Sequence, residues 1–128
     1  MMTKLTGGEV LRIVNKYVGV SQGYLGDFRY RTHAEFYLEY CNLDIDPNDW
    51  SGTTRERFIA ILKSQPAEYQ ARILRGVLER FPIGAKHAPE TRTIEEEERI
   101  WEYIRRLESN ASVPNVELVI TSDVVDEL

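Results

Sequence analysis

Arg29, Tyr30, Arg31 and His33 follow a glycine-rich loop, GVSQGYLGDF (19–28), and Arg55 and Arg57 come shortly after Trp50 in a second loop. Guanidinium groups bind phosphates and carboxylates through a planar fork of donors, and they stack on aromatic faces. If the two loops meet, these cations converge beside Tyr24, Tyr30 and Trp50, which would stack a base or other planar ligand. The helix start expected near Thr53 would add backbone amides that attract an anion. Arg29, Tyr30, Arg31, Trp50, Arg55 and Arg57 therefore form the leading candidate for ligand or partner binding. A purely structural reading competes with it. There, Phe28 and Tyr30 pack inward and the arginines pair with Asp27, Glu35 and Glu56.

A second pair with chemical potential is Arg80 and His87. Six residues separate them, inside the loose Arg-to-His spacing of the HEPN ribonuclease motif. In such enzymes one group stabilises charge on the scissile phosphate and the other works as acid or base. Here a Pro82–Gly84 loop stands where that motif has a polar helix start, so a solvated loop histidine near a helix-end arginine is the simpler expectation. Asp44, Asp46 and Asn48 imitate the first ligands of a calcium loop. Asp49 then occupies the required glycine position and Arg55 that of the bidentate glutamate. A proline turn with side-chain capping accounts for these residues. No His, Cys and carboxylate spacing fits zinc, and no phosphate-binding glycine motif is present. No metal or cofactor is expected.

The bulk numbers set the class. The chain has 128 residues, 42% hydrophobic and 29% charged, with a net charge of −5, the profile of a single folded domain. Basic residues are interleaved with acidic ones, which argues against generic nucleic-acid binding. Cys41 is the one cysteine, set in the apolar run FYLEYCNL, where a thiol behaves as a small hydrophobe. No apolar run has membrane-spanning length and no signal-like segment opens the chain. The terminal VDEL has no such signal to act with, so the expected compartment is the cytoplasm.

The elements that must position these residues are helical. Four Thr-x-x-Glu boxes, at Thr6, Thr32, Thr53 and Thr93, mark helix starts in which hydroxyl and carboxylate cap each other's amides. Apolar residues at helical spacing follow each box. Helices are expected over 7–18, after Thr32 (burying Phe36, Tyr37, Tyr40 and Cys41), after Thr53 or Thr54, from Pro66 to Phe81, and from Ile94 to about Ser109. The fourth carries the stripe Tyr69, Ile73, Leu74, Val77, Leu78 and Phe81. Gly76 beside that stripe implies close approach of a neighbouring helix. The run Glu95–Glu98 reads as a solvated first turn opposing the helix dipole. The fold class is all-α: a compact bundle of about five helices, residues 1–109. A hinge (NASVPN, 110–115) and a short β-like or irregular C-terminal tail over 110–128 follow, where another domain would begin.

The succession GYLGDF (23–28), FYLEYCNLDI (36–45), SGTTRERFIAIL (51–62) and LRGVLERFP (74–82) resembles the helical N-terminal domains of AbiJ-type abortive-infection proteins of bacterial anti-phage systems. The likeness spans about residues 5–82. It implies a non-enzymatic sensing or protein-interaction module, partnered by another protein or by a fused effector, often of HEPN type. It carries no catalytic residue onto this chain. The alternatives are a HEPN-type ribonuclease using Arg80 and His87, or a nucleotide- or anion-binding domain built on the arginine corner.

Overall fold

The computed structural model describes residues 4–119. Five α-helices form the body: α1 (Gly7–Arg12), α2 (Tyr30–Cys41), α3 (Thr54–Ser64), α4 (Ala67–Arg80) and α5 (Ile94–Val119). One two-stranded antiparallel hairpin, β1 (Val20–Ser21) and β2 (Tyr24–Leu25), sits between α1 and α2. The protein is an all-α bundle. No helix among the described residues is long and apolar enough to cross a membrane.

Two of the four boxes act as full reciprocal caps. The Thr6 hydroxyl accepts the Glu9 amide and Glu9 accepts the Thr6 amide; Thr53 and Glu56 do the same for α3. Thr93 caps the Glu96 amide at 3.2 Å, but the Glu96 carboxylate turns to Arg12 instead, at 3.0 and 2.6 Å. The Thr32 box does not start its helix. Helix α2 begins two residues earlier at Tyr30, and the Thr32 hydroxyl serves from inside by accepting the Arg29 amide at 2.9 Å. An extended Arg29 ahead of the helix leaves its amide in need of that acceptor.

The first helix changes gauge. Ile13–Val18 is a π-helical turn, closed by the Gly19 amide donating to Val14 five residues back, at 2.9 Å. The wider turn keeps Ile13, Val14, Tyr17 and Val18 buried together while Asn15 and Lys16 face solvent.

Helix α4 packs on both α2 and α5, and its stripe Ile73, Leu74, Val77, Leu78 and Phe81 is buried, with Tyr69 left half exposed. Gly76 is where α2 crosses: a Cβ there would lie 2.7 Å from Cys41 Sγ and 3.2 Å from the Tyr40 carbonyl. Burial pushes the Cys41 thiol up to about 12, as befits a core hydrophobe.

Helix α5 buries Ile100, Ile104 and Leu107. Ion pairs flank that seam: Arg106–Glu9 at 2.8 Å and Arg12–Glu96 at 2.6 Å to α1, and Arg75–Glu108 at 2.7 Å to α4. The hinge expected at 110–115 is replaced by helix, since α5 continues to Val119. No glycine follows Ser109 to stop it, and Pro114 removes one backbone donor without ending the run. The remainder of the expected β-like tail, 120–128, lies outside the described residues.

Candidate functional site

The hairpin organises both candidate sites. Its two-residue turn, Gln22 and Gly23, has φ of 54° and 85°, the double positive φ that matches the twist of a tight hairpin. Strand β2 is tied down by α3: the Leu25 amide donates to Thr54 Oγ1 at 2.9 Å, and the Arg55 amide donates to the Gly23 carbonyl at 3.4 Å. Leu25 is wholly buried, while Val20 and Tyr24 remain 39% exposed.

The two loops therefore meet, but the arginines do not converge as a group. Arg57 and Tyr30 do come together, the guanidinium lying 4.8 Å from the ring centroid. Tyr24 meets Tyr30 edge to face at 6.1 Å. Arg57 is already engaged, donating to the Gly52 carbonyl at 2.9 Å and to Asn48 Oδ1 at 3.1 Å. Arg55 reaches Asn15 Oδ1 at 3.4 Å, beside the π-helical turn. Arg31 stands out on α2 opposite Glu35 at 3.9 Å. Arg29 lines a shallow cleft of about 370 Å³ with Ser21, Gln22 and Tyr24. Trp50 packs against the core. The anion seat expected at the start of α3 is closed: the Arg55 amide goes to Gly23 and the Glu56 amide to Thr53.

His33 leaves the basic cluster altogether. It is wholly buried, stacked on Phe28 at 5.0 Å, with Nε2 2.7 Å from the Tyr37 hydroxyl. Its Nδ1 has no partner among the described residues. Burial, with a smaller push from Arg57, lowers its pKa to about 4, so the ring is neutral and serves the core. The sequence did hold the signal, because His33 and Tyr37 are one helical turn apart on the face that buries Phe36.

Arg80 and His87 do line one cleft, of about 400 Å³, between the hairpin stem, the end of α4 and the loop 82–92. Arg80 is fixed there. It pairs with Asp27 at 3.0 Å and lies over the rings of Phe28 and Phe81 at 5.3 and 5.0 Å. His87 and Lys86 are exposed on the loop.

The residue that builds this cleft is Arg92. Buried to 8% exposure, it donates to the carbonyls of Tyr17 at 2.9 Å, Val18 at 3.1 Å and Pro82 at 3.1 Å. The Tyr17 hydroxyl adds a bond of 2.7 Å to the Phe81 carbonyl, and burial pushes that phenol up to about 12. The end of the π-helical turn and the exit of α4 are thus stapled by one side chain. The loop DIDPND holds a short 3-10 turn, Pro47–Asp49, capped by Asp46 Oδ1 on the Asn48 amide at 2.9 Å. No grouping of metal-binding side chains occurs among the described residues.

Compared with known proteins, the chain matches no family model, no curated protein and no solved structure.

Proposed function

We propose that this chain is a non-enzymatic recognition module, cytoplasmic and part of a prokaryotic anti-phage defence protein. It would act on a partner protein or a fused effector domain. One observation carries the recognition reading. The hairpin is hydrogen-bonded to α3 and shows Val20, Tyr24 and, beside it, Tyr30 to solvent, while Arg57 is engaged by the protein's own oxygens. A preformed aromatic face of this kind is what binding surfaces use, because little side-chain freedom remains to be lost. The defence assignment rests on the likeness to AbiJ-type N-terminal domains over about residues 5–82.

The test is a phage-challenge assay with the complete defence protein. Tyr24→Ala with Tyr30→Ala should abolish protection while the purified domain keeps a cooperative thermal transition. Full protection by that variant would sink the recognition reading.

A HEPN-type ribonuclease is the second reading, favoured by one fact: Arg80 and His87 share a cleft. Against it, Arg80 is spent on Asp27 and two aromatic rings. Purified protein should leave single-stranded RNA intact. Cleavage that disappears in both Arg80→Ala and His87→Ala would install the enzyme reading instead.

A further inference from the structure

The cleft beneath the hairpin stem carries an unbalanced charge. Arg80, Lys86, Arg92 and His87 line it, and among the described residues Asp27 is the single carboxylate that does so. Asp27 is already bonded to Arg80. Arg92 ends on three carbonyl oxygens, and among the described residues no carboxylate forms an ion pair with it. Its acidic neighbours in sequence, Glu90 and Glu97, do not line the cleft. This is unusual in a chain with 21 acidic residues and a net charge of −5. A mostly buried cation matched by three carbonyls and by the faces of Tyr17 and Phe81, at 5.4 and 5.5 Å, still lacks a counter-charge, and supplying one relieves the cost of its burial. With Arg80 and Asp27 cancelling each other, Lys86 and Arg92 remain as unmatched cations of the lining, and two cations suit a dianion better than a single carboxylate. The remaining lining is largely apolar, including Val18, Phe81 and Pro89, and a space of about 400 Å³ falls in the range of small-molecule sites, roughly 300–1,000 Å³.

We infer that this cleft binds a small organic phosphate. The phosphate sits between Lys86 and His87 at the mouth, with Arg92 and the neutralised Arg80–Asp27 pair behind it, and the organic body lies against Val18 and Pro89. The inference needs neither reading above, since it requires neither a protein partner nor cleavage, and Tyr24 and Tyr30 of the exposed face do not line this cleft.

The experiment is an amide NMR titration of the full chain with 5′-AMP, adenosine and sodium phosphate in turn. AMP should shift the Gly19, Gly26 and His87 amides saturably, adenosine should not, and inorganic phosphate should displace AMP from the same amides. Added salt should weaken AMP binding to the unaltered chain. The double variant Lys86→Ala, His87→Ala, altered only at exposed loop positions, should keep its melting temperature and lose about tenfold in affinity. Absent shifts, equal binding of adenosine, salt-independent binding, or unweakened binding by the double variant would each overturn the assignment.

Discussion

His33 shows how much one side chain can set. Its ring is neutral in the fold and protonates freely once unfolded, so the unfolded state takes up the extra proton between the two pKa values. Stability attributable to His33 is complete above pH 6.5, falls as the pH drops toward about 4, and changes no further below that. The full effect is about 3 kcal/mol. Urea midpoints across this window should therefore slope with pH in the parent chain and slope less, by one proton, in His33→Phe. Equal slopes would mean that the imidazole is not buried neutral. Arg92 supplies a second residue-scale prediction. Arg92→Met keeps the length but strips the donors from three carbonyls, at about 1–3 kcal/mol for each group left unsatisfied. Denaturation should show a loss of at least about 2 kcal/mol, with no rescue by Arg92→Lys, whose single ammonium cannot fan out to three acceptors. A variant within about 0.5 kcal/mol of the parent would remove Arg92 from the role of staple.

Among the elements, α2 and α4 meet at Gly76. Alanine ordinarily favours a helix over glycine by about 1 kcal/mol, but its Cβ would press on Cys41 Sγ and the Tyr40 backbone. Overpacking of this sort costs about 1–3 kcal/mol, so Gly76→Ala should lower the melting temperature. Cys41→Ala in the same chain should recover part of the loss by clearing the sulfur. A melting temperature raised by Gly76→Ala alone would show that the helices are further apart. This contact was legible beforehand, as were the helices themselves, because Thr-x-x-Glu caps and apolar stripes are local signals written in a few neighbouring residues. The start of α2 was misread from the same kind of signal: Thr32 does cap, but from within. The passage of α5 through Pro114 was not legible, since a proline that breaks a helix and one that merely drops a hydrogen bond look alike in sequence. Arg92 was hidden for a different reason. Its three acceptors lie 74 and 75 residues away at Val18 and Tyr17, and 10 away at Pro82, and only the closed bundle brings them together. The arginine corner failed to converge because charge clusters in sequence do not say which protein oxygens each guanidinium will find first.

For the molecule as a whole, the bundle is closed by contacts between distant parts of the chain: Glu9 with Arg106, Leu5 with Gln70, Tyr17 with Phe81. Such closures need each element to arrive in the right phase, and the first helix reaches its phase through the π-helical turn at Ile13–Val18. The identity of an exposed residue there matters little, but the tally of residues matters a great deal. Lys16→Ala should be silent, within about 0.5 kcal/mol. Deleting Lys16 would let the turn tighten to an ordinary α-helix, swinging Tyr17 and Val18 round the axis and away from Arg92 and Phe81. That shortened chain should lose its cooperative thermal transition, while an unaffected transition would show that the wide turn is incidental. This stretch is thus forgiving in spelling and strict in length, so lineages of this protein should vary freely at position 16 yet carry no gap there.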